Sequence, residues 1–127
     1  MLSFDNLRLT EGVPIYYQLL RYLRQGIAGG TIRPGEELPS RRMTSALLGI
    51  NPNTVQKVYR MLEEEGLIQS HSGARSVVTT DESVRDRVRE DLLRTDTRAI
   101  VSAMKQAGVT KEEALVRLEE LWEEEEE

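Results

Sequence analysis

Apolar residues recur along the first half of this chain at two different periods, and the periods mark out its elements. Ile15, Leu19, Leu20, Leu23 and Ile27 follow helical spacing, behind Pro14 and ahead of Gly29-Gly30, which predicts a first helix between them. The stretch Thr31 to Glu36 contains a Pro-Gly pair and reads as a connector. Ser40 is placed to cap a second, short helix over 41–48, with Met43, Ala46 and Leu47 as its apolar positions and Gly49 as its end. Asn51-Pro52 restarts a helix at once, Asn51 as cap and Pro52 as first residue. Val55, Val58, Tyr59 and Leu62 give that helix a buried stripe, and Gly66 closes it. Two short helices so closely joined have the pattern of a helix-turn-helix.

After Gly66 the period shortens. Residues 67–70 and 76–79 are β-prone runs around His71 to Arg75, which predicts a hairpin. Three helices and a hairpin make a winged helix-turn-helix over residues 1–80, of which residues 1–12 are irregular with room for a short extended piece. From Asp81 the pattern is helical again, with Asp81 or Ser83 as cap and apolar residues from Val84 to Ala107. The polar gap from Arg94 to Arg98 leaves open whether that helix is continuous or bends or breaks there. Thr110 and Glu113 match a capping box that opens a last helix with the stripe Ala114, Leu115, Leu118, Leu121 and Trp122. The expected fold is therefore mainly α with a small β-hairpin: a winged helix-turn-helix, then a two-helix tail over 81–127 ending in the acidic run Glu123 to Glu127.

Charge changes the picture. The chain has 127 residues and a net charge of −5, which argues against a nucleic-acid partner. Split at residue 80, however, the first part holds nine Lys/Arg against seven Asp/Glu, and the second part eight against fifteen. The acid belongs to the tail, so the average hides a mildly basic first domain. There is no Cys and one His, which leaves thiol catalysis, disulfide scaffolds and Cys/His metal sites without material. No apolar run approaches the ~20 residues of a membrane span, and the opening residues lack a signal-peptide pattern. Carboxylate runs such as Glu63 to Glu65 fit a solvated face better than acid–base chemistry, and no nucleophile motif or phosphate loop is present. No enzymatic activity and no cofactor are expected.

Candidate chemistry gathers on the helix after Asn51. With its apolar stripe facing inward, Asn53, Thr54, Gln56, Lys57 and Arg60 project outward. Asn and Gln pair bidentately with adenine, Thr meets a thymine methyl or a phosphate, and Lys and Arg neutralise phosphate or read guanine. Arg41 and Arg42 open the preceding helix, where positive charge is mildly unfavourable unless an anion sits there. In the hairpin, His71, Gly73 and Arg75 are candidates for backbone or minor-groove contact, with His71 fitting an exposed loop residue slightly better than a contact.

These residues resemble the GntR family of bacterial transcriptional regulators over roughly residues 13–79. Pro14-Ile15-Tyr16-Tyr17-Gln18, the run Gly35 to Arg42 with Leu38-Pro39-Ser40, Asn53-Thr54-Val55, and Leu62 to Ile68 together carry the likeness. The resemblance implies DNA contact at Arg42, Asn53, Thr54, Gln56 and Gly73. Pro52 and Gln56 stand where many members carry arginine or serine, so guanine-reading arginines are not carried over. The hairpin tip also departs from the family's Gly-x-Gly-Thr, reading Gly73-Ala74-Arg75-Ser76, so that Arg75 puts a charge where the family has a flexible glycine. Asn51 to Thr54 and the short tail are similar to the YtrA branch, which implies a homodimer held through residues 81–122. That agrees with the physics, since two short amphipathic helices cannot bury both stripes within one chain. The expectation is a cytoplasmic, sequence-specific DNA-binding regulator, a repressor, that binds a near-palindromic double-stranded operator. Its rival is a winged-helix protein-interaction module without specific DNA binding.

Overall fold

A computed structural model describes residues 2–71 and 75–125. The order is α1 (Ile15–Gly29), β1 (Glu37–Leu38), α2 (Arg41–Leu48), α3 (Pro52–Glu64), β2 (Ile68–His71), β3 (Arg75–Val78), α4 (Glu82–Gln106) and α5 (Lys111–Glu124). The chain forms two compact units, Met1–Glu90 and Asp91–Glu127. No described helix is long and apolar enough to cross a membrane.

The core of the first unit is aliphatic. Leu19, Leu23 and Ile27 of α1 and Val55, Val58 and Leu62 of α3 are fully buried, together with Leu67 and Ile68 at the start of β2. Of the stripe expected on α1, Leu19, Leu23 and Ile27 are buried, Leu20 is half-buried and Ile15 is exposed. Gly26 lies in the same buried face, and a Cβ added there would stand 2.5 Å from Ile32 Cδ1 and 2.7 Å from Ile32 Cγ1. Its carbonyl also accepts from the amides of Gly30 and Ile32, which turns the chain out of α1. Glycine to alanine within a helix ordinarily gains about 1 kcal/mol. Here the overpacking against buried Ile32 costs about 1–3 kcal/mol. Gly26→Ala is therefore expected to lower the melting temperature, and a rise would show that Ile32 moves aside freely.

The opening segment has no helix or strand, as expected, but it is packed against the domain. Leu2 and Phe4 are buried, the Leu2 amide donates to Glu37 O (3.2 Å), and the Tyr22 hydroxyl donates to Ser3 O (3.3 Å). Gln18 clips this segment to α1. Its Oε1 accepts from the Thr10 amide (2.8 Å), and its Nε2 donates to the carbonyls of Thr10 and Val13 (both 2.9 Å).

The hairpin is part of a three-stranded antiparallel sheet in the order β1-β3-β2. β1 adds Glu37 and Leu38 opposite Val77 and Ser76, and β2 pairs from Ile68↔Val78 to His71↔Arg75. A strand of two residues carries no alternation to detect, so the sequence reading placed only a connector before Ser40.

The second helix differs more sharply. Its expected apolar positions face outward: Met43 is 47% and Leu47 63% exposed, and Ala46 is exposed as well. The buried position is Thr44. Its hydroxyl lies 2.7 Å from the Tyr59 hydroxyl, which donates to Pro39 O at 2.8 Å. A phenol has one hydrogen, so Thr44 donates to Tyr59 and Tyr59 to the carbonyl. A directional bond has replaced apolar contact as the link between α2 and α3.

α4 is unbroken through residues 94–98, where the sequence leaves continuity open. None of those residues is Gly or Pro, and solvent-exposed Arg, Thr and Asp do not interrupt backbone hydrogen bonding. Asp81 rather than Ser83 caps its start, accepting from the Ser83 amide (2.9 Å) and hydroxyl (2.7 Å). Thr110 caps α5 as expected, accepting from the Glu113 amide at 3.2 Å. Within the second unit the stripe of α5 is open: Leu115, Leu118, Leu121 and Trp122 are exposed, Trp122 by 73%.

Candidate nucleic-acid interface

Three local devices hold α3 in place. The Ser40 side chain accepts from the Met43 amide (3.1 Å) and starts α2. Gly49 ends it in the left-handed region at φ 66°, where a side chain is strained, and Ser45 donates to Ile50 O (2.6 Å) across the turn. Asn51 then accepts from the Asn53 amide (2.8 Å), with Pro52 as the first helical residue. The start of α3 is thus fixed by a cap, a locked φ and a tight turn.

Buried Val55, Val58, Tyr59 and Leu62 turn the other side of α3 to solvent. Asn53, Gln56, Lys57 and Arg60 are exposed at positions i, i+3, i+4 and i+7, one face of one helix. Thr54 is half-buried beside them, and Arg42 is exposed at the start of α2. Among the described residues, no side-chain hydrogen bond or ion pair engages Arg42, Asn53, Gln56 or Arg60. Lys57 rests with Nζ 3.7 Å from the centroid of the Tyr16 ring, a cation–π contact that joins α3 to α1.

Arg41 does not stand beside Arg42 as expected. Its NH2 donates to Glu63 Oε1 at 2.7 Å, its guanidinium lies 5.2 Å from the Tyr59 ring centroid, and its Nε is buried. The arginine is engaged by α3, with its Nε buried and its side chain 25% exposed. Arg75 is exposed on β3 and pairs with Glu37 across the sheet at 3.1 Å. Gly73 lies outside the described residues.

Glu63 was read from sequence as part of a solvated acidic run, yet it is a junction. The Ser70 hydroxyl donates to its Oε1 at 2.7 Å, the oxygen that also receives Arg41. Ser70 first and Arg41 second hold its carboxyl below the usual carboxylate range, with burial opposing them. The overlooked signal was spacing: Glu63 follows buried Tyr59 by four residues, which puts it at the edge of the packed face.

Comparison with known proteins agrees with this architecture. Residues 15–78 match the model of the bacterial regulatory proteins of the gntR family. The HTH-type transcriptional regulator YhcF of Bacillus subtilis (strain 168) is 30% identical over 111 residues, 87% of this chain and 91% of YhcF. The HTH-type transcriptional repressor YtrA of the same organism is 38% identical over 63 residues, 50% of this chain and 48% of YtrA. A solved GntR family transcriptional regulator from Listeria monocytogenes superposes with a TM-score of 0.80 at 28% identity, covering 88% of this chain and 98% of that one. Family match, near full-length likeness and shared fold coincide on the helix-turn-helix and its wing, and the chain belongs to the GntR family of bacterial transcriptional regulators.

Proposed function

We propose that this chain is a sequence-specific DNA-binding repressor that binds a near-palindromic operator as a homodimer in the cytoplasm. The observation that carries the reading is the outward face of α3. Asn53, Gln56, Lys57 and Arg60 stand exposed on a helix whose start is fixed, and the amides and guanidinium have no internal partner among the described residues. Unengaged side chains on a rigid helix suit readout of base edges in a major groove, because no internal bond has to be broken and the backbone is already ordered. Arg42 supplies phosphate neutralisation at the start of α2, and Arg75 does so from the wing after exchanging Glu37 for a phosphate. The repressor sign rests on the likeness to YtrA.

The homodimer follows from the tail, residues 81–122. In the second unit, Ile100, Val101, Met104, Val109, Leu115 and Leu118 line an apolar cleft of about 430 Å³, and Trp122 is exposed beyond it. Apolar surface of that extent is stabilised by burial against a second copy. Half-sites would then lie about 10 bp apart or a multiple of it.

The test is selection from a pool of randomised duplexes, followed by binding titrations at several salt concentrations. Enrichment of an inverted repeat is expected, and sedimentation should give a dimer. Arg42→Ala should weaken binding to every duplex and flatten log Kd against log salt by about one unit. Failure of the wild-type chain to retain any duplex at low salt would overturn the reading.

A further inference from the structure

One carboxylate oxygen joins three elements of the first unit. Glu63 near the end of α3 receives Arg41 from the first turn of α2 and Ser70 from β2, both at 2.7 Å on Oε1. Arg41 also lies against the Tyr59 ring, whose hydroxyl is bonded to Thr44 of α2 and to Pro39 O. The arginine is enclosed: its side chain is 25% exposed, and its Nε is buried. Between Glu63 and Ser70 the chain turns through Gly66; buried Leu67 and Ile68 and the pairing of β3 with β1 anchor the base of the hairpin, and the Ser70–Glu63 bond adds a polar tie from β2 to α3 beyond that base.

Resting on the reading that α3 and the wing grip one duplex together, we propose that Arg41 is a positioning residue rather than a phosphate contact. Through Glu63 and Ser70 it fixes the angle of the β2–β3 hairpin against α3. Two contact elements held at a set angle engage DNA as one body. If the hairpin swings, it must be ordered at the moment of binding, and that entropy is lost from affinity. Arg42, next in sequence and exposed, is the arginine left for the phosphate.

The two roles separate by salt dependence. Binding of the full chain is measured by fluorescence anisotropy over a range of KCl concentrations, using a duplex recovered by the selection above. Arg41→Ala and Ser70→Ala are each expected to weaken binding about three- to tenfold with the wild-type salt slope kept, because no phosphate contact is lost. The double variant should bind within about twofold of the weaker single one, since both act through the same carboxylate. Ser70→Thr keeps the hydroxyl on a strand-compatible residue and should retain wild-type affinity. A slope reduced by about one unit in Arg41→Ala would make it a phosphate contact and overturn the proposal. Multiplying losses in the double variant, or Ser70→Thr as weak as Ser70→Ala, would overturn it too.

A second measurement needs no DNA. Amide exchange in β2 and β3 of the free protein should speed up in Ser70→Ala, an exposed strand position, and in Arg41→Ala, while α1 exchanges as in the wild type. Unchanged hairpin exchange overturns the proposal even if no duplex is ever retained. A wild-type chain that retains no duplex, with faster hairpin exchange in the variants, sinks the DNA reading while the positioning link stands.

Discussion

Tyr59→Ala is expected to destabilise the first unit by about 3–5 kcal/mol, the range for removing a fully buried aromatic side chain. For a unit of this size that corresponds to a fall of more than about 10 °C in melting temperature. Tyr59 is 0% exposed and is the largest fully buried side chain. Its ring supports the Arg41 guanidinium, and its hydroxyl connects Thr44 to Pro39 O. Burial raises the phenol above its ordinary pKa, so it remains a donor through the neutral range. Tyr59→Phe separates the two contributions. It keeps the ring and leaves the Thr44 hydroxyl and the Pro39 carbonyl short of a partner in a buried site, which costs about 1–3 kcal/mol. Chemical denaturation followed by circular dichroism should rank wild type above Phe and Phe well above Ala. A Phe variant as stable as wild type would show that the hydroxyl contributes nothing to joining α2 and α3.

On the DNA side, the largest expected losses are at Asn53 and Gln56. Each change to Ala should cost about 1–3 kcal/mol on the selected duplex, the discrimination typical of one bidentate base contact. On random duplexes the same variants should bind nearly as the wild type does, since neither side chain carries charge. Titrations of both duplex types at one salt concentration check this. Equal losses on both would remove Asn53 and Gln56 from base readout and leave them as side chains that only meet water on α3.

What the sequence disclosed followed from how each element is specified. α1, α3 and α5 are marked by apolar period and by caps at Asn51 and Thr110, all local features, and the structure has them where they were read. α2 is eight residues long and offers too few positions for a period to be decisive. Its orientation is set by Thr44 meeting Tyr59, a polar contact between residues fifteen apart, which no hydrophobic pattern records. β1 was missed because its pairing partner lies about forty residues away. For the site, the exposed face of α3 was legible because it is the complement of a buried stripe. The enclosure of Arg41 was not, because its partners Glu63 and Ser70 come from elements whose proximity only the fold creates.

The strand order β1-β3-β2 has a further consequence, for how such chains behave when crowded. A sheet exposes two edges, and each is a template on which another chain can add a strand. On one side the Leu2 amide already occupies the Glu37 carbonyl, so the opening segment screens β1 from a visitor. On the other side stands β2, only four residues long, with exposed Gln69, Ser70 and His71 after its single buried Ile68. A short, polar border gives an incoming strand little apolar surface to cover. Such a border guards against edge-to-edge aggregation when chains are concentrated.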